Sequence, residues 1–219
     1  MQLDFHEHGA ARRHGAAVSF LSALREIAES LPQRRAGLRL HGIPELAALL
    51  SPDLLGASAA EKLGRSARPV RAILFDKSPA ANWALGWHQD RTIAVKVRCD
   101  VPGYGPWSIK SGMQHVEPPF AVIERMVTIR VHLDVVPPDN APLLIAPGSH
   151  RFGRIPEADL TGVVERCGSM ANLATAGDVW IYATPIVHAS AASRGTRRRV
   201  LQVDYSADAL PLGLEWLSI

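Results

Sequence analysis

Six short runs rich in β-branched and aromatic residues follow Pro69, and no convincing amphipathic helix of ten or more residues separates one from the next. They are VRAILFD (70–76), TIAVKV (92–97), MVTIRVHL (126–133), PLLIAP (142–147), DVWIYA (178–183) and RVLQVDY (199–205), bounded by Gly, Pro, Asn or Asp. A parallel pair needs a crossover of a dozen residues or more, usually a helix, so these strands are expected to pair antiparallel. A doubly wound sheet is disfavoured, and a jelly-roll-like sandwich or barrel is favoured.

The first third of the chain has a different period. Val18, Leu21, Leu24, Ile27, Ala28 and Leu31 recur at three and four residues until Pro32, as in an amphipathic helix. Pro44 opens a second helix through Leu50, and Ser58-Ala59-Ala60-Glu61 has the form of a capping box for a third that Gly64 closes. The expected architecture is mainly β (α+β). It is one domain over 1–219, with a helical layer (1–66) packed on a cupin-like, double-stranded β-helix or jelly-roll core (67–219).

Composition narrows the partners. A chain of 219 residues with 47% hydrophobic and 21% charged residues is ordinary for a soluble protein. No apolar run approaches the roughly 18 residues of a membrane span, and MQLDFHEHGAARRHG has no apolar signal core, so a cytoplasmic location is expected. The net charge of +3 is small and the arginines are scattered apart from Arg197-Arg198-Arg199, which argues against nucleic acid as a partner. Cys99 and Cys167 form no pair motif and are read as reduced thiols. The C-terminal DALPLGLEWLSI is apolar enough to pack on the core or on a second subunit.

Gly86-Trp87-His88-Gln89-Asp90 is the segment that could carry chemistry, although a His-x-Asp pattern taken alone is a weak signal. In an extended segment the period of two puts His88 and Asp90 on one face and Gln89 on the other, so both can reach one ion. One further histidine would complete the facial 2-His-1-carboxylate set that holds non-haem iron with positions open for substrates. It has to come from another strand. His6, His8, His14 and His41 lie in the helical segment, which leaves His115, His132, His150 and His188. His188 follows a Gly177-Asp178 turn and the apolar VWIYA, and Arg198 comes ten residues later.

Together, His88-Gln89-Asp90, NAPLLIAPGSHRFGR (140–154), the Gly177-Asp178 strand leading to His188-Ala189-Ser190, and Arg198-Arg199-Val200-Leu201 resemble the phytanoyl-CoA dioxygenase family over roughly residues 70 to 205. The resemblance implies that His88, Asp90 and His188 hold Fe(II). It also implies that 2-oxoglutarate and O2 are consumed, with release of succinate and CO2, while an unactivated C–H bond of a small organic molecule is hydroxylated. The distal carboxylate of 2-oxoglutarate is expected to pair with an arginine of the last strand, because a guanidinium offers a permanent, bidentate charge. The family pattern aligns on Arg198, which shares a face with Val200, Gln202 and Asp204. Arg199, with Leu201, Val203 and Tyr205, is the alternative, and Arg197 faces solvent. Arg71 and Lys77 share a face of the strand before the metal motif, where the family places cosubstrate contacts; solvated charges explain them as well. The Pro147-Gly148-Ser149-His150 turn is read as structural, with His150 not a ligand.

The segment 100–119 reads as a long loop at the mouth of the barrel, offering Tyr104, Trp107, Lys110 and His115 for a substrate pocket. Two rival functions share these residues. One is a non-oxidative, cupin-like metal-binding protein, which has no need of a charge at 198 or 199. The other is a nucleic-acid-directed oxygenase, which would bind oligonucleotides in a salt-dependent way.

Overall fold

The computed structural model describes residues 3–32, 35–78, 81–193, 196–211 and 213–219. In chain order the first third holds α1 (Phe5–His8), β1 (Ala10–Arg13), α2 (Leu21–Ser30), β2 (Gly37–Leu40), α3 (Pro44–Leu49) and α4 (Ala57–Leu63). There follow β3 (Arg68–Lys77), β4 (Leu85–His88), β5 (Ile93–Val95), β6 (Trp107–Lys110), β7 (Met113–Val116), α5 (Phe120–Glu124), β8 (Val127–His132) and β9 (Leu143–Ile145). The chain continues through α6 (Leu160–Cys167), β10 (Met170–Asn172), β11 (Val179–Ala183), β12 (His188–Ser190) and β13 (Arg198–Ser206).

The strands form a major sheet ordered β1-β11-β8-β13-β3-β2, a minor sheet ordered β10-β9-β12-β4, and a three-stranded sheet ordered β5-β7-β6. Among the described residues every strand pairing is antiparallel. The major sheet separates two interiors by strict alternation. Leu74, Ile129, Val131, Ile181, Leu201, Val203 and Tyr205 point outward and pack with Leu24, Ala28, Leu46, Leu50 and Ala59 of the helices. Each such buried side chain contributes about 1.5–3 kcal/mol, and this sets the register of the central strands. The inner face faces the minor sheet, where Trp180, Tyr182 and Val200 meet Leu143 and Ile145. Arg71, Lys77, Thr128, Arg130, His132, Arg198, Gln202 and Asp204 are also buried. A sheet face this polar inside a protein has to be satisfied by partners.

Several expectations change. The first 66 residues are not only a helical layer, because β1 and β2 close both edges of the major sheet. Their sequences, AARR and GLRL, carry no β-branched residue and become strands only by pairing with β11 and β3. Ser58 does not cap a helix: Gly56 occupies that position, and Ser58 is buried within α4. Gly64 does close α4, at φ 84°, with its N–H donating to the Ala60 carbonyl. The 100–119 segment is largely a hairpin. Lys110 pairs with Met113 across Ser111-Gly112, both at positive φ, as a tight primed turn requires. The C-terminal tail packs back on the core through Leu214 and Trp216, and Leu217 N–H donates to the Ala94 carbonyl. Among the described residues, no helix is long and apolar enough to cross a membrane.

Candidate metal centre

β4 and β12 are adjacent in the minor sheet, and their register puts His188 opposite His88, with ring centroids 4.2 Å apart. Asp90 comes two residues further on. One ligand atom from each of His88, Asp90 and His188 lies within 4.8 Å of the others. Gln89 turns away: its amide donates to the carbonyls of Gly153 and Pro185, and its oxygen accepts from the Ile155 N–H. That anchoring holds the short His-x-Asp segment in place.

Each histidine is oriented by its own backbone. His88 Nδ1 lies 2.8 Å from the Gly86 carbonyl and His188 Nδ1 lies 2.9 Å from the Ile186 carbonyl. A carbonyl only accepts, so both Nδ1 atoms carry the proton and both Nε2 lone pairs are left for an ion. Burial, aided by His88, pushes the His188 pKa down to about 4, so its ring is neutral near pH 7.

Asp90 carries the negative charge. Burial alone would raise its pKa, but the Arg71 guanidinium holds it well below the usual carboxylate range. Arg71 donates to Asp90 Oδ2 at 3.1 Å and also to buried Asp204, which accepts from Thr128 as well. Arg71 thus bridges the two carboxylates, and Asp90 Oδ1 has no hydrogen-bond partner among the described residues. Two imidazoles whose Nε2 atoms are left for an ion, with a carboxylate, suit a borderline first-row divalent metal.

The three groups border a cavity of about 500 Å³ between the major and minor sheets. Arg198 points into it, 1% exposed, and its Nε and Nη1 find no hydrogen-bond partner among the described residues. Burial and the nearby Arg130 press its pKa down to about 10. Lys77, 2% exposed, donates to the Trp83 carbonyl, Ser190 Oγ and the Ala191 carbonyl. Burial, then Arg198 and Arg130, bring its pKa down to about 8. Arg130 donates to Gln202 Oε1 and lies 5.1 Å from the Phe75 ring. Among the described residues no carboxylate pairs with any of these three cations. Holding buried cations without a counter-charge costs several kcal/mol, so the donor set fits a bound organic dianion.

Arg199 does not reach the cavity. It sits on the helix-facing side of β13, where it donates to Asp134 and Glu29. Arg197, expected to face solvent, is 37% exposed and pairs with Asp76 and Glu29. Lys110 lines the cavity, but Trp107 and His115 do not. Trp107 packs on the cluster of Val70, Ile93 and Val116, with Arg98 over its ring. His115 is fully buried, Nδ1 on the Met113 carbonyl, and burial lowers its pKa to about 4. Arg71 is no solvated charge, being 8% exposed in the pair described above. His150 packs against Gly9, where an added Cβ would come within 2.3 Å of its ring. His132 is buried in the major sheet. Arg130 and Arg39 escaped the sequence reading. Alternation in MVTIRVHL marks Arg130 as an inward residue beside Thr128 and His132, whereas Arg39 lies in a segment with no strand signal.

Comparison with known proteins bears on the fold and the family. No curated protein sequence matches significantly. The fold is similar to that of HygX from Streptomyces hygroscopicus, crystallised with nickel and 2-oxoglutarate (16% identity, TM-score 0.62, covering 92% of this chain and 84% of that one). AviO1 from Streptomyces viridochromogenes Tue57 is also similar (21%, 0.61, 94% and 93%). So is SnoK, described as a non-heme alpha ketoglutarate dependent carbocyclase from nogalamycin biosynthesis (18%, 0.59, 92% and 80%). At these identities the likeness concerns the fold. The model of the phytanoyl-CoA dioxygenase family matches residues 26–200, and the chain therefore belongs to that family of Fe(II)- and 2-oxoglutarate-dependent oxygenases.

Proposed function

We propose that this oxygenase hydroxylates an unactivated C–H bond of a small organic molecule, with His88, Asp90 and His188 as the iron ligands and Arg198 as the partner of the 2-oxoglutarate distal carboxylate. The observation that carries this reading is Arg198, a buried guanidinium with two unpartnered nitrogens bordering the same cavity as the three ligand residues. Iron with 2-oxoglutarate and O2 supplies the oxidising equivalents, the keto acid leaving as succinate and CO2.

The protein's share is positional. Backbone carbonyls fix both imidazole tautomers, and Arg71 keeps Asp90 ionised and aimed. Arg198 receives the carboxylate in a bidentate pair. Lys77, whose three donors are already engaged by neutral acceptors, adds positive charge beside it rather than a free hydrogen bond. Phe75, Trp83, Leu85 and Leu143 supply apolar wall against which a carbon skeleton can lie. Trp107 and His115 act from behind, packing the small sheet that carries Lys110. HygX has also been crystallised with hygromycin B, and SnoK is a carbocyclase; both support a small organic molecule as substrate.

The test is aerobic incubation of Fe(II)-loaded protein with 2-oxoglutarate and a panel of small molecules, measuring succinate and the incorporation of labelled oxygen from O2. Succinate release that disappears in His88→Ala, with label in a product, is expected. A protein that binds iron yet releases no succinate is a metal-binding jelly roll instead. Succinate with an unlabelled, cyclised or desaturated product would overturn hydroxylation while leaving the oxygenase intact.

A further inference from the structure

Arg39 on β2 and Lys110 on β6 line the cavity from elements remote in sequence. Alternation along β2 gives Leu40 to the helical core and turns Gly37 and Arg39 to the cavity. Neither cation has a carboxylate partner among the described residues. Among the described residues the Arg39 Nε is buried with no hydrogen bond, and Lys110 Nζ donates only to Thr92 Oγ1, at 3.1 Å.

The other charges bordering the cavity are accounted for. Arg71 is held by Asp204 and Asp90, and Arg91 faces Glu157. Arg198, Lys77 and Arg130 surround the proposed 2-oxoglutarate carboxylate, and Asp90 belongs to the metal centre. Arg39 and Lys110 are left over, and a cosubstrate dianion seated at Arg198 does not neutralise them. Burial and the Arg71 charge lower both pKa values, Arg39 lowers that of Lys110 further, and Asp90 works in the opposite direction on both. Beside them the wall is apolar. Trp83 lies so close over Gly37 that a Cβ there would come within 2.9 Å of the indole, and Leu85 stands 48% exposed.

We propose that Arg39 and Lys110 form a second anion-binding position, which seats a carboxylate or phosphate group of the substrate while its carbon skeleton lies along Trp83 and Leu85. The substrate is thus an organic acid with an apolar body, and these two residues select it. The inference rests on the metal and cosubstrate sites proposed above. A guanidinium and an ammonium lining one cavity can each give an anion a charge-assisted hydrogen bond, strong enough to change affinity about tenfold or more.

The experiment uses the full chain, loaded anaerobically with Fe(II) and 2-oxoglutarate, and titrates hexanoate, hexyl phosphate and hexanamide by calorimetry. Absorption of the iron-bound keto acid is followed in the same samples. Wild type is expected to bind one of the acids at least about tenfold tighter than the amide. The acid preferred distinguishes carboxylate from phosphate. Arg39→Gln and Lys110→Gln should each lose most of that preference, and the double variant all of it. Both should keep the 2-oxoglutarate absorption, which also shows that they are folded, and Arg39→Lys should restore part of the preference. Amide bound as well as acid, none of the three bound, or a preference surviving in the double variant would overturn the proposal. Absence of the keto-acid absorption in wild type would instead overturn the cosubstrate site.

Discussion

Arg198 and Arg199 have the same side chain, and one step along β13 sends them to opposite sides of the major sheet. Arg198 enters the cavity with no carboxylate partner among the described residues, while Arg199 satisfies its donors on Asp134 and Glu29. Calorimetry on metal-loaded protein should therefore find 2-oxoglutarate weakened about 100-fold in Arg198→Gln, as expected when one partner of a buried charge pair is truncated. Arg199→Gln should leave that affinity within about twofold and lower thermal stability instead. Lys77 gives a pH signature. Its pKa in the folded chain, lowered to about 8 by burial, Arg198 and Arg130, means that it is charged below that pH and neutral above it. Affinity for the dianion should be highest below pH 8 and fall as pH rises through that value, and Lys77→Met should flatten the profile. At this scale the sequence was informative where alternation could be applied. The His88-x-Asp90 spacing and the inward row of Arg198, Val200, Gln202 and Asp204 follow from a period of two. Which row of β13 faced the cavity depended on where the helices packed, and that lies outside the strand.

At the level of elements, the N-terminal strand shows what local signals miss. β1 joins the sheet edge because Asp178, 1% exposed, accepts from Arg12, from the Gly15 N–H and from the Thr175 N–H and hydroxyl. Gly177, at φ 90°, has Val18 packed where a side chain would stand, 2.5 Å from an ideal Cβ. Burial alone would raise the Asp178 pKa, but the backbone donors and Arg12 hold it near 2. The depressed value means that its contribution is present above the unfolded pKa of about 4 and is lost as pH falls from about 4 towards 2. Asp178→Ala should cost about 3 kcal/mol at pH 7 by urea denaturation and remove that acid-dependent step. A loss below about 0.5 kcal/mol would show that β1 docks without it. The turn at Gly177-Asp178 was readable from sequence, but its partner 166 residues away was not. The hairpin of β6 and β7 was hidden for a different reason: its strands are four residues each, and Gly and Pro around them signal a loop more strongly than their side chains signal a strand.

Across the whole molecule, the division of labour follows the two faces of the major sheet. One face is apolar and carries the helices; the other is polar and walls the cavity. The chain's net charge of +3 conceals this. Arg39, Arg71, Lys77, Arg91, Lys110, Arg130 and Arg198 line the cavity, against Asp90 as its carboxylate, so the cationic character is concentrated inside. The jelly-roll class was legible because no helix of ten or more residues separates the six strand-like runs, and the cluster of His88, Asp90 and His188 because a His-x-Asp spacing and a later strand-borne histidine can be read without the fold. The anion-binding walls were not, since they assemble from β2, β3, β6, β8 and β13 only after folding. The most direct measurement is an anaerobic titration of the metal-free chain with Fe(II) and 2-oxoglutarate, following the charge-transfer absorption of an iron-chelated keto acid. The band is expected in wild type, with its loss in His88→Ala and His188→Ala and a shift to roughly 100-fold higher 2-oxoglutarate in Arg198→Gln. Iron bound by wild type without the band, or a band whose 2-oxoglutarate dependence is unchanged in Arg198→Gln, would contradict that expectation.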